Sequence, residues 1–356
     1  MKVVSSILTL LLCISFLSTV YARAEEFSFE LEKVFEVGKT ENFIKLSNSS
    51  GEVTIESHNQ DKIIVHATKV IRAKDQKEAN QIAERIVIDI NKTDSTITIE
   101  TEYPKIRPKG FWSNFLRFDW GDRAWVDYHI LVPAKTKLDI HSASADVNVR
   151  GIENQVDVWV ASGDVLLENI IGDVNANSAS GNLEVYGAQG RINLKGASSD
   201  IKIRRTEGSM NLTTASGDIY GEKLEGNLFI SQASGDLELY EINGDITAKG
   251  ASGDKRIEQK QGSLNLNSSS GDIEAKTDIL PNKEYLIESA SGDVKLYIPL
   301  QSKADIELRT ASGNIDCKIP MELRIVTSKK IEGKANQGGS QITIETTSGD
   351  IFLFSQ

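Results

Sequence analysis

Cysteine is nearly absent from this chain: its 356 residues contain two, Cys13 and Cys317. Cys13 lies in an N-terminal run that reads as a removable leader, so Cys317 is left alone and an intramolecular disulfide is excluded. Histidine is equally sparse. His58, His66, His129 and His141 all precede the main repeats and form no spaced ligand set, which argues against a zinc site. No nucleophile elbow and no phosphate-cradling glycine pattern occurs. Positive charge is in deficit as well, with a formal net charge of −11 that becomes −13 once Lys2 and Arg23 leave with the leader. A chain of that sign repels nucleic acid and keeps only local basic patches for anionic surfaces.

The leader itself is short. Lys2 is followed by an apolar run from Val3 to Val20, and Ala22-Arg23-Ala24 (or Val20-Tyr21-Ala22) then offers small residues where a signal peptidase cuts. Leu12 stands before Cys13 where a lipoprotein signal would need a small residue. Residues 1–24 are therefore expected to be a signal peptide, with the mature chain exported to the periplasm, the cell surface or the medium. Without disulfides, such a protein must be stable through its core alone.

What is abundant is repetition. Ala161-Ser162-Gly163-Asp164 returns as Ala179-Ser180-Gly181-Asn182, Ala215-Ser216-Gly217-Asp218, Ala233-Ser234-Gly235-Asp236 and Ala251-Ser252-Gly253-Asp254. The fourth position falls at 146, 164, 182, 200, 218, 236, 254 and 272, a period of 18 without drift. Later copies at Asp293, Asn314 and Asp350 are more widely spaced, which implies insertions at turns near Leu280-Pro281-Asn282 and Pro299-Leu300-Gln301. Fixed spacing of this kind marks a solenoid. Half a period on, a second glycine recurs at Gly172, Gly190, Gly208, Gly226, Gly244 and Gly262. Each glycine leads into an apolar-x-apolar triplet, such as Val165/Leu167, Leu183/Val185, Ile201/Ile203 and Leu237/Leu239. Alternation at period two signals strands, and Gly-Asp or Gly-Asn supplies the turns.

These signals predict an all-β fold: a parallel, right-handed β-helix of 18-residue coils, two short strands per coil, with those four apolar pairs inside. A lone coil buries too little apolar surface to offset the entropy of ordering it, so coils must stack. At about 4.8 Å per strand step, twelve coils would give a rod of roughly 50–60 Å.

Ahead of the repeats, residues 25–140 read as an N-terminal capping region, with 141–356 as the repeat domain. Strands are expected at Phe27–Val37, Phe43–Leu46, Val53–Ile55, Ile63–Val65, Ile86–Ile90, Thr96–Glu100 and Trp125–Pro133. One helix is expected over 75–86, with Ala79, Ile82, Ala83 and Ile86 on one face. Ser49-Ser50-Gly51-Glu52-Val53 resembles a degenerate copy of the repeat. Two positions invite particular expectations. Lys255 occupies a slot that is apolar in nearly every other coil, so its strand should slip, bulge or let the ammonium reach outward. The recurring Ala and Ser, Ala215 among them, should be small because the corner is tight.

The serial Ser-Gly-Asp-[Ile/Val/Leu]-x-[Val/Ile/Leu] units, the opening Ser50-Gly51-Glu52-Val53-Thr54-Ile55 and the Val132-Pro133-Ala134-Lys135 element resemble the bacterial putative-adhesin family of β-strand-repeat domains of unknown function. The resemblance covers roughly residues 40–356. It implies a pectin-lyase-like β-helix without established catalytic residues and with a cell-surface role.

Chemistry in the repeats reads as structural. Calcium-binding β-rolls need several glycines and a second Asp per nonapeptide, whereas here one acidic position varies to Asn or Ser. Its expected role is an Asx-type bond to its own turn. Carbohydrate-cleaving β-helices need clustered carboxylates on an outward face, and the outward positions here are mixed. The chain is therefore read as non-catalytic and without a cofactor or metal. The candidate contact residues lie in the aromatic and basic stretch 103–128: Arg107, Phe111, Trp112, Phe115, Arg117, Phe118 and Trp120. Tryptophan beside arginine suits a binding surface or a lipid interface. The expected partner is a cell-surface glycan, an envelope protein or a membrane surface. A structural rod that self-associates and a carbohydrate-active β-helix enzyme are the other classes weighed.

Overall fold

The computed structural model describes residues 24–38, 41–104 and 123–356. The leader and the aromatic stretch 105–122 lie outside them. Among the described residues, twenty-nine strands join in a single sheet that is mostly parallel and coils into a solenoid-like stack. In its central part each strand pairs with the strand two further along the chain. Val174 lies opposite Ile192 and Met210 opposite Leu228, in the same sense and register. The alternation seen in the sequence decides which side chains turn inward. Val165, Leu167, Leu183, Val185, Ile201, Ile203, Leu237 and Leu239 are all buried.

The corners are set by two devices. Gly235 has a φ of +118°, and a Cβ built there would lie 2.3 Å from the carbonyl oxygen of Gly217. Only glycine lets the backbones approach so closely at that angle. The residue after it supplies the second device. The amide of Asp236 donates to Asp218 Oδ1 at 2.8 Å, that of Asp254 to Asp236 Oδ1 at 2.9 Å, and that of Asp272 to Asp254 Oδ1 at 2.9 Å. The carboxylate therefore bridges one coil to the next instead of closing its own turn as the sequence suggested. Ala215 is exposed. The tightness of the corner falls on the glycine, and the small side chain at 215 is not explained by crowding.

Lys255 also departs from expectation. Its side chain is buried, its Nζ donating to Ser268 Oγ at 2.8 Å and to Gly253 O at 3.1 Å. The strand keeps register through Ile257, and the irregularity comes later, between Leu239 and Ile242 of the neighbouring coil. Burial lowers the lysine's pKa, partly countered by Asp254 and Asp236.

Before the regular stack come β1 (Glu25–Glu36), β2 (Phe43–His58), β3 (Lys62–Ala73), α1 (Gln76–Ala83), β4 (Val87–Thr93), β5 (Thr96–Glu102), β6 (Ala124–Pro133) and β7 (Lys137–Arg150). Asp75 caps α1, accepting from the Glu78 amide at 2.8 Å, and Ala79, Ile82 and Ala83 are buried where the helix packs on β3 and β1. The degenerate copy is a true member of the stack: Ser50, Gly51 and Glu52 of β2 lie opposite Ser144, Ala145 and Asp146 of β7. On its other side β2 pairs in parallel with both β5 and β6, so this coil sits between two others. Beyond, β4 is antiparallel to β5, β3 to β6 and β1 to β3.

The other end repeats the arrangement. The last strands, Ser340–Ser348 and Ile351–Ser355, insert between those of 284–298 and those of 304–317. The ladder confirms the order, with the Asp350 amide on Asp293 Oδ1 and the Asn314 amide on Asp350 Oδ1. Sequence spacing alone suggests stacking in chain order. The strand Ala304–Ser312 is then covered by an antiparallel hairpin made of Lys330–Ala335 and Glu322–Val326.

Candidate functional site

The parallel register turns each outward position into a column running along the stack. On one face, Asp139, Asp157, Asn175, Asn193, Asn211 and Phe229 are successive neighbours. Two residues along each strand, His141, Trp159, Asn177, Lys195, Thr213 and Ser231 form the adjacent column. Strand alternation forces both sets outward, because the residues between them are the buried apolar ones.

Two aromatics on this face are not covered. Trp159 is 50% exposed and Phe229 49%. The Trp159 ring stacks almost parallel to that of His141, with ring centroids 6.3 Å apart and an interplanar angle of 6°. The imidazole is held in turn by Asp139, whose Oδ1 accepts from Nε2 at 2.8 Å. Trp159 stands at the junction of two open depressions. One, of about 750 Å³, has His141, Asn177 and Lys195 on one side and the Ala143, Ala161 and Ala179 column on the other. The second, of about 680 Å³, lies over Asp139, Asp157, Asn175 and Asn193.

Polar groups between the aromatics are partly organised already. Asn193 Nδ2 donates to Asn175 Oδ1 at 2.9 Å, and Asn175 Nδ2 to Asp157 Oδ1 at 2.7 Å. Gln155 Nε2 donates to the other oxygen of Asp157 at 2.7 Å. This chain fixes the amide planes. Asn177, Lys195 and Asn211 make no side-chain hydrogen bond within the described residues, so their donors and acceptors face solvent. Such an array can meet a neutral, hydroxyl-rich ligand with both donors and acceptors while an aromatic face packs against its apolar side.

The residues singled out in the sequence, Arg107, Phe111, Trp112, Phe115, Arg117, Phe118 and Trp120, lie outside the described residues. Of their flanks, Tyr103 donates its hydroxyl to Ser50 O at 3.3 Å, and Arg123 pairs with Glu78 at 3.0 Å. Burial pushes the Tyr103 hydroxyl well above the usual phenol range. Trp159 and Phe229 were missed because single exposed residues make no local motif. The available signal was positional: a large aromatic in a column otherwise filled by Asn, Asp, Ser, Thr, Lys and one His. Among the described residues no group of three or more His, Cys, Asp or Glu is placed to hold a metal ion, and no helix is long and apolar enough to cross a membrane.

Glycine-cornered strands stacked in parallel, presenting polar columns outward, define a β-repeat solenoid-like protein. The chain belongs to the Toastrack DUF4097 family, whose model matches residues 42–249 and 243–353. No curated protein matches it. Similar solved structures include a putative cell adhesion protein from Clostridium sporogenes, at 9% identity and TM-score 0.19, covering 93% of this chain and 100% of that one. A putative adhesin from Bacteroides fragilis is 12% identical, with TM-score 0.27 and coverage of 91% and 97%. Another, from Parabacteroides merdae, is 15% identical, with TM-score 0.24 and coverage of 76% and 92%. At these identities and scores the likenesses carry no functional argument. The family match agrees with the resemblance read from the Ser-Gly-Asp repeats.

Proposed function

We propose that this is an exported, non-catalytic cell-envelope binding protein of adhesin type that holds an oligosaccharide lengthwise on the Trp159–Phe229 face. In this reading residues 1–24 are the signal peptide, the coils wind right-handed as parallel crossovers do, and the cap expected over 25–140 narrows to the antiparallel β1, β3 and β4 with α1, since β2 is itself a coil of the stack. The observation that carries the reading is the pair of half-exposed aromatics on one face with a field of amides between them. Four strand steps separate their rows, about 19 Å. Tryptophan is over-represented where binding energy concentrates, and a sugar ring offers an apolar face to each aromatic and hydroxyls to the amides. The basic and aromatic stretch around Trp112 is a second contact in the same proposal, directed at the envelope or membrane surface.

The test is a glycan array probed with the protein, followed by titration of the best-bound glycan against Trp159→Ala and Phe229→Ala. Both side chains are half-exposed, so both variants should melt within a few degrees of the wild type. At least tenfold weaker binding in each is expected. Unchanged affinity in both variants would remove this face from the function.

A further inference from the structure

The second strand of each coil builds the other face of the stack, with two outward positions two residues apart. On the strands Val294–Ile298 and Ile351–Ser355 these positions hold Tyr297, Phe352 and Phe354, all half-buried and turned outward. Their rings form one cluster, with centroids 5.7 Å apart for Tyr297 and Phe354 and 5.9 Å for Phe352 and Phe354. Charged rows flank it. Arg256 with Glu258 and Glu274 with Lys276 lie on one side, and Asp316 with Lys318 on the other. Within each of these rows the two charges have opposite signs. Glu258, Glu274 and Lys276 make no ion pair within the described residues. An aromatic centre with a charged rim is the anatomy of a protein interface, and the signs say what fits it.

We propose that this face docks a second copy of the same chain, side by side and pointing the same way, about a two-fold axis that runs along the stack between the two columns. Such an axis sets each row against the same row of the partner, with its two positions exchanged. Arg256 then meets Glu258 of the partner subunit, Glu274 meets the partner's Lys276, and Asp316 meets the partner's Lys318. Each contact occurs twice by symmetry. At the centre Phe352 meets the partner's Phe354, and Lys295 lies over the partner's Tyr297.

The signs exclude the other arrangements. An axis lying on either column would oppose each charge to itself. Turning the partner end for end would lay the aspartate ladder, whose Asp254 and Asp272 begin two of these rows, against the partner's ladder. Like charges set face to face cost affinity. Towards the amino end the match stops, because Lys202 would meet the partner's Arg204. Facing sheets cross at about 30°, which carries those rows apart and confines the contact to four strand steps, about 19 Å. A patch of that size is smaller than a standard interface, so the dimer forms only as concentration rises. Being isologous, it closes at two copies, and it leaves both Trp159–Phe229 faces uncovered.

The experiment is sedimentation equilibrium on the chain without residues 1–24 over about 10 µM to 1 mM, the range where weak association is read. The wild type should shift from monomer to dimer. Glu274→Lys and Lys276→Glu should each raise the dimer dissociation constant about tenfold or more, since each sets like charges face to face twice. An equimolar mixture of these two variants should associate nearly as well as the wild type, because each supplies the sign that the other lacks. Phe352→Asp should also abolish the dimer, and melting temperatures of the three variants check that they fold. Glu274 and Lys276 are exposed, so their variants keep the test open even where Phe352→Asp is unstable. A wild type that stays monomeric throughout overturns the proposal. So does a dimer indifferent to both charge reversals, or a mixture that associates no better than either variant alone.

Discussion

Replacing Asp236 separates two effects that the aspartate ladder combines. Its Oδ1 accepts the Asp254 amide at 2.9 Å, and the carboxylate is exposed to solvent. Its charge also repels Asp218 and Asp254, one coil away on either side. At about 4.8 Å each repulsion is worth about 0.9 kcal/mol in water, and near physiological salt screening reduces it to about 0.5. Asp236→Asn keeps an acceptor and removes both repulsions, regaining about 1 kcal/mol. It also weakens a charge-assisted bond by a comparable amount. The net change is expected within about 0.5 kcal/mol of zero. Asp236→Ala regains the same repulsion but loses the bond entirely, so it should fall below the Asn variant by about 1 kcal/mol. Urea unfolding of all three proteins at low and high salt measures this, with hydrogen exchange at the Asp254 amide as a local readout. The gap between the Asn and Ala variants should be insensitive to salt, whereas the wild type should gain on Asp236→Asn as salt rises. Equal stability of the two variants would mean that the ladder bond contributes nothing. A fall in wild-type melting temperature on adding a chelator, absent in Asp236→Asn, would mean that the ladder holds a cation.

Lys255→Met should raise stability at neutral pH by about 1 kcal/mol or more, because it removes a buried ammonium. The lysine's folded pKa is lowered, so the wild type gains stability as pH rises through that pKa towards 10.5, and the Met advantage seen in urea titrations should shrink over that window. Gly235→Ala should cost about 2–4 kcal/mol, from a strained φ and a Cβ driven into Gly217 O, whereas Ala215→Leu on the exposed column should stay within about 0.5 kcal/mol; denaturation midpoints decide both. Trp112→Ser and Phe115→Ser should leave the melting temperature unchanged and reduce retention on anionic liposomes or envelope fractions, and a drop of several degrees with retention intact would assign these aromatics to packing.

The stack was legible because its causes are local and repeated. A glycine at a fixed spacing, a following Asp and an apolar-x-apolar triplet specify corner, bridge and inward face, and Val165, Leu167, Leu183 and Val185 turned inward as alternation requires. The helix was legible for the same reason, although Asp75 caps it where a first-turn residue was expected, and it ends at Ala83, short of Ile86. What escaped depends on contacts between coils. Asp236 looks like a turn residue from its neighbours in sequence, and only the coil next to it reveals the amide that it accepts. Lys255 looked intolerable inside until Ser268 and a carbonyl supplied partners. Trp159 and Phe229 gain meaning only when columns are aligned in register, which brings residues from several strands onto one face. The spacing widens after Asp272, but it does not reveal that 340–355 inserts between two earlier coils, because its corner residues match those of the other coils.

That insertion bears on how the protein comes apart. A simple repeat array frays from its outermost coils, one by one, each loss exposing the next. Here the segment 340–355 is an interior layer, and near the amino end β2 lies likewise between coils formed later in the chain. Pulling on that segment from its far end would have to draw a strand out from between two neighbours, breaking ladders on both sides at once. Synthesis runs into the same constraint, since the coil of 304–317 cannot reach its final place until residues 340–355 have been made and threaded beneath it. The finished stack is in this sense latched by a layer that is made late and held inside.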